Sequence, residues 1–282
     1  MNRKTTVWLS VAAVLVALGL LTFAVVMTVY GWDFTKLSAV DYETNTYVFE
    51  EVRDISIETE TADVLFLPSE DGACKVVCYE PTEAKHTVEV KDGKLTVKVR
   101  DDREWYDYIG IMSDSPAITV YLPEKALGTV AVKGTTGDVK ISHSFSFEGL
   151  GITLSTGDVV LRNITCEGEI SVVLSTGDLE VADVFSRRFD TKASTGDVEL
   201  ENLLAEEKLS VRRSTGDVEF DGVDAPEITI ETSTGDIEGT LCSGKHFIAD
   251  SDTGDVLVPK DSEGGTCRLN TSTGDIRVRV AE

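Results

Sequence analysis

The sequence predicts an all-β chain: a single-stack parallel β-solenoid of about eight 19–20-residue coils with an N-terminal β cap, preceded by one transmembrane helix. Three observations carry this. The tripeptide Thr-Gly-Asp recurs eight times, with glycines at Gly137, Gly157, Gly177, Gly196, Gly216, Gly235, Gly254 and Gly274, always 19 or 20 residues apart. Each copy is followed by Val, Leu or Ile in period-two alternation, which marks half-buried strands rather than helices. Residues 5–32 contain no charged side chain.

The apolar segment comes first in the chain. Val7 to Tyr30 would span ~36 Å as a helix, enough to cross a hydrocarbon core with some tilt. Arg3 and Lys4 precede it and Asp33 follows, which puts the N-terminus in the cytoplasm and the C-terminal part outside a cell membrane. The chain therefore divides into a cytoplasmic stub and anchor (1–32), a linker with a capping β region (33–130) and the Thr-Gly-Asp solenoid (131–282). A cleaved signal peptide is the alternative, with Thr22-Phe23-Ala24 as a cleavage match, and it gives a secreted protein instead.

Between anchor and repeats, Ile55 to Leu67 reads as a degenerate ninth coil with Ala62 in the glycine's place. Lys75 to Tyr79, Leu95 to Arg100 after the turn Asp92-Gly93, and Ile118 to Leu122 before Pro123 are further strands. A solenoid needs such an atypical end to hide its first sheet edge. Trp105, Tyr106 and Tyr108 interrupt the pattern, either packing over that end or forming a partner-contact loop.

Within the repeat, the residues from Ile152 to Val172 give two short strands and two turns per coil. Glycine supplies positive φ at the constant corner. Stacking aligns equivalent residues in ladders: Val139, Val159, Leu179, Val198, Val218, Ile237, Val256 and Ile276 in one, and Ile141, Leu161, Val181, Leu200, Phe220, Val258 and Val278 in another. A leucine-rich horseshoe of similar period is excluded by the missing Leu/Asn signature and helical half.

Stacking also puts Asp138, Asp158, Asp178, Asp197, Asp217, Asp236, Asp255 and Asp275 in one row, beside a parallel row of threonine hydroxyls. Unit charges ~4.8 Å apart repel by ~0.9 kcal/mol even in water, so something must compensate. Backbone N–H bonds at each carboxylate's own corner are the structural account. Calcium held between coils is the functional one, although the nonapeptide spacing of calcium-binding β-rolls is missing. Arg213 falls in the slot of Leu154, Leu174, Ala193 and Thr232. It reads as a counter-ion to the row or as a slip in the alignment.

With 50 acidic against 26 basic residues the net charge is −24, which argues against nucleic acid as partner. Five cysteines in scattered positions give neither a disulfide framework nor a metal signature and read as core-filling side chains. The three histidines stand in no motif. Carboxylates repeated identically are turn residues rather than a catalytic pair, so no enzyme and no cofactor are expected.

The anchor, Gly31-Trp32-Asp33-Phe34 after it, the strand Ile118-Thr119-Val120-Tyr121-Leu122-Pro123 and the Ser-Thr-Gly-Asp-Val repeats together resemble a bacterial putative-adhesin family of unknown function. The resemblance covers roughly residues 45–282. It implies a membrane-tethered or surface solenoid without known catalytic residues, in some cases encoded with envelope-stress systems. The expected function is an adhesion or cell-envelope scaffold that binds a wall polymer or an envelope membrane protein. An accessory of envelope-stress signalling is the alternative, and a calcium-stabilised rod a second one.

Overall fold

The computed structural model describes residues 3–32, 41–101, 115–123 and 127–281, so Trp105, Tyr106 and Tyr108 lie outside the described residues. Contacts divide the chain into two units: Met1–Tyr42 with Arg103–Ser115, and Glu43–Asp102 with Pro116–Glu282.

In the first unit, α1 runs Arg3–Val29 and contains the apolar span Val7–Val29, sufficient by length and composition to cross a membrane. Two of its threonines bond back to the helix backbone. Thr22 Oγ1 donates to Leu18 O (2.9 Å) and Thr28 Oγ1 to Ala24 O (2.7 Å). Gly31 and Trp32, both at positive φ, end it.

The second unit is β throughout. Its N-terminal part comprises β1 (Tyr42–Phe49), β2 (Asp54–Thr59), β3 (Asp63–Pro68), β4 (Cys74–Pro81), β5 (Ala84–Lys91), β6 (Lys94–Asp101) and β7 (Ala117–Leu122). The repeats follow as β8 (Leu127–Thr136), β9 (Val139–Ile141), β10 (Phe145–Thr156), β11 (Val159–Thr176), β12 (Leu179–Thr195) and β13 (Val198–Thr215). They continue with β14 (Val218–Val223), β15 (Glu227–Thr234), β16 (Ile237–Leu241), β17 (His246–Thr253), β18 (Val256–Leu257), β19 (Thr266–Thr273) and β20 (Ile276–Val280). All belong to one sheet, whose repeat strands wind as a parallel β-solenoid.

Each complete coil has three runs, not the two expected. In β11, Val159 and Leu161 point inward, then Ile164 and Cys166, then Ile170, Val172 and Leu174. The alternation slips at Arg162–Asn163 because Asn163 takes φ 57°. Asp183, Asn202 and Gly222 repeat that bend at 54°, 49° and 65°. Asn and Asp are the non-glycine residues that tolerate this left-handed region best, which is why the corner escapes a search for glycine. A second slip lies between Cys166 and Glu169.

The inward residues form continuous ladders. Each buried Val, Leu, Ile or Phe contributes ~1.5–3 kcal/mol relative to exposure, and no coil could bury its own set alone. Gly239 stands in the Phe220 row, where a Cβ would lie 2.5 Å from the Phe220 ring. Cys74, Cys78, Cys166 and Cys267 are buried as expected, whereas Cys242 is exposed.

Stacking order departs from chain order at both ends. β19 and β20, last in sequence, insert between β15–β16 and β17–β18, so the ladder runs Ile237, Ile276, Val256. At the other end, β2–β3 is the ninth coil, and it lies between β8–β9 and the outer pair β6–β7. Antiparallel β5 on β6 and β4 on β7 then cover that outer edge, with β1 beside β4.

Candidate functional site

The predicted Thr, Gly and Asp residues do come together, along one edge of the stack. Thr136, Thr156, Thr176, Thr195, Thr215, Thr234, Thr273 and Thr253 pair in register, in that spatial order, and all are exposed. Next to them the eight glycines take φ between 118° and 150°. Two constraints coincide at each glycine. The conformation excludes most side chains, and at Gly157 through Gly274 a Cβ would meet the carbonyl oxygen of the neighbouring coil's glycine at 2.0–2.1 Å.

The aspartates do not serve their own corners as expected. Each Oδ1 accepts the backbone N–H of the aspartate in the next coil. Asp158 N donates to Asp138 Oδ1 (2.9 Å), Asp178 N to Asp158 Oδ1 (2.8 Å) and Asp197 N to Asp178 Oδ1 (2.7 Å). Asp217 and Asp236 continue the chain, which then passes to Asp275 and ends at Asp255. The degenerate coil begins it, since Asp63 Oδ1 accepts from Asp138 N (2.9 Å). The physical reason is geometric: parallel stacking brings the next coil's amide directly over each carboxylate. The row is thus a charge-assisted hydrogen-bond ladder, and these amides supply compensation that the charge row requires.

Beneath the edge the glycine carbonyls turn inward. Thr232 Oγ1, Thr271 Oγ1 and Ser251 Oγ donate to Gly216, Gly235 and Gly274 at 3.2, 3.0 and 2.8 Å. Arg213 holds the same position, paired in register with Ala193, so no alignment slip exists. It is buried, and its Nη1 donates to Gly196 O (2.8 Å) and Gly177 O (3.3 Å). Its Nε and Nη2 have no hydrogen-bond partner. Burial lowers its pKa to about 10, opposed by the nearby carboxylates of Asp178 and Asp197. A counter-ion role is therefore partial: the guanidinium binds carbonyls and feels the acids at a distance.

Outward of the ladder, Glu180, Glu199, Glu219 and Glu238 stack in register, and Arg277 on the inserted coil closes the row with ion pairs to Glu238 and Asp275. Where Gly239 leaves room, a depression of ≈ 540 Å³ opens between Glu199, Glu201, Glu219 and Asp221 on one side and Arg277 and Arg279 on the other. The two arginines are legible in sequence, but their place beside these acids follows only from the insertion of β20.

A protein-family model matches residues 52–204 and 167–282. The chain belongs to the Toastrack DUF4097 family. Among solved structures, a putative adhesin from Bacteroides fragilis NCTC 9343 aligns at TM-score 0.55 and 18% identity, over 86% of this chain and 97% of that one. A putative cell adhesion protein from Clostridium sporogenes ATCC 15579 covers 86% and 100% at 15% identity, with TM-score 0.27. A putative adhesin from Parabacteroides distasonis ATCC 8503 covers 86% and 98% at 11% identity, with TM-score 0.35. Comparison with curated proteins gives no match. The first of these structures supports the Toastrack fold at the level of chain path.

Proposed function

We propose that the chain is a non-enzymatic scaffold of the cell envelope, anchored by α1, whose Thr-Gly-Asp edge docks a repetitive polymer bearing cationic or hydroxyl groups. One observation carries the reading: exposed Thr and Asp side chains recur in strict register along the edge, every ~4.8 Å. A periodic surface matches a periodic ligand through many weak contacts, each raising the effective concentration of the next. The acidic excess, 50 against 26, favours a partner with positive groups.

The test is binding of the full chain, in detergent micelles, to isolated cell walls at several salt concentrations. Asp158, Asp178 and Asp197 are replaced together by Asn, which removes charge yet keeps an acceptor oxygen for each ladder amide. Binding that falls about tenfold or more with an intact fold supports the edge as the docking face. Unchanged binding assigns recognition elsewhere.

A further inference from the structure

One cluster of chemistry-bearing side chains stands outside the ladder. Along β4, Cys78 and Glu80 are two residues apart and face the same side, where both are fully buried. β5 brings His86 beside them, 5% exposed. A sulfur, a carboxylate oxygen and a ring nitrogen then lie within 4.8 Å of one another. Glu80 Oε2 is 2.6 Å from His86 Nδ1 and accepts the His86 backbone N–H at 2.6 Å. The outer atoms are held from behind. Asn45 Nδ2 on β1 donates to Glu80 Oε1 (2.8 Å), and Thr59 Oγ1 at the end of β2 sits 3.3 Å from His86 Nε2.

We propose that Cys78, Glu80 and His86 bind a borderline-soft divalent cation, Zn²⁺ by ligand type, and that the ion staples the cap to the first coil. The donor set decides the class. Thiolate, imidazole and carboxylate suit zinc, whereas calcium and magnesium require oxygen shells. Around a tetrahedral ion with bonds of ~2.0–2.3 Å the donor atoms sit ~3.3–3.7 Å apart, so Glu80 and His86 need separate by less than ~1 Å. Two of the ligands also have the support such sites use. Thr59 can accept the Nε2–H that leaves Nδ1 free for the metal, and Asn45 fixes Oε1 so that Oε2 faces inward.

Charge gives the second argument. Binding displaces the Cys78 thiol proton to solvent, while His86 binds as a neutral imidazole through Nδ1. Thiolate and carboxylate then balance the 2+ ion, leaving no net charge in a buried place. A Glu80–His86 salt bridge alone would not need a cysteine. The ion's ligands and their supports join β1, β2, β4 and β5, which is the junction between cap and solenoid.

The experiment is titration of the full chain in detergent micelles with Co²⁺, under a non-thiol reductant, followed by displacement with Zn²⁺. The expected result is a thiolate-to-cobalt charge-transfer band with intense tetrahedral d–d absorption, saturating at one ion per chain and abolished by zinc. Cys78→Ser and His86→Asn should remove the band, Cys267→Ala should keep it, and Asn45→Ala should weaken affinity by about 10–100-fold. Cobalt on the acidic surface gives only weak octahedral absorption, so the charge-transfer band is diagnostic. Its absence from the wild-type chain, or its survival in Cys78→Ser, overturns the proposal irrespective of whether any variant folds less well.

Discussion

Replacing Gly177 by alanine tests the central claim about the repeat edge. The ideal Cβ lies 2.0 Å from Gly157 O and 2.7 Å from Gly157 C, and the φ of 143° is itself unfavourable for alanine. Relief requires the two coils to part by more than ~1 Å at the corner, since carbon–oxygen contacts normally exceed ~3 Å. Three hydrogen bonds cross that gap: Gly157 N to Thr176 O (3.1 Å), Val159 N to Asp178 O (2.9 Å) and Asp178 N to Asp158 Oδ1 (2.8 Å). Losing them at ~0.5–1.5 kcal/mol each, with ~1–3 kcal/mol of backbone strain, gives a destabilisation of ~3–7 kcal/mol. Urea unfolding of the full chain, followed by far-ultraviolet circular dichroism, measures it. Ala62→Gly is the control, because Ala62 starts the row. A Gly177→Ala loss below about 1 kcal/mol would refute the argument that the carbonyl row is held at contact.

Other outcomes follow from the same geometry. Hydrogen exchange should find the amides of β19 and β20 better protected than those of β17 and β18, although they lie nearer the C-terminus; the reverse order would sink the inserted topology. Arg213→Leu should leave stability unchanged or raise it by ~1–3 kcal/mol in urea unfolding, because the guanidinium is buried with two unpartnered nitrogens; a clear loss would show that its carbonyl bonds dominate. The Thr129 backbone N–H, then Arg53, hold the Asp54 carboxyl below its ordinary 3.8. A carboxyl depressed in the folded state stabilises above its unfolded pKa and loses that effect as pH falls through the folded one. The stability difference between wild type and Asp54→Asn should therefore hold constant above about pH 5 and narrow towards pH 2. A difference that does not change over that range counts against the bond.

The repeats were legible because two signals reinforce each other at every coil: a glycine that needs positive φ, and apolar residues on either side in alternation. Coil order was not. Thr-Gly-Asp specifies register but carries no information about which neighbour receives it, so a coil can pass over its successor without disturbing any ladder. Weak traces of an edge do exist in β18. It is two residues long, with Val256 and Leu257 both exposed and Pro259 and Lys260 just beyond, as edge strands often are. The third run of each coil was hidden because its corner uses Asn163, Asp183 and Asn202, which do not mark a positive φ in sequence as glycine does. For the Cys78–Glu80–His86 cluster, only the shared face of Cys78 and Glu80 can be read from spacing. His86 arrives from the next strand, across the turn at residues 82–83, and nothing in the local pattern shows a glutamate to be fully buried.

The inserted C-terminal coil has a consequence for the order in which the chain can assemble. Synthesis delivers residues 246–257 before residues 266–280, yet the earlier segment has no neighbour to pair with until the later one is in place. A stack that could otherwise zip coil by coil from its N-terminal end must pause at β15–β16 and wait for residues 266–280. Residues 266–280 thus act as a bolt, and a chain without them loses two layers of the stack rather than one.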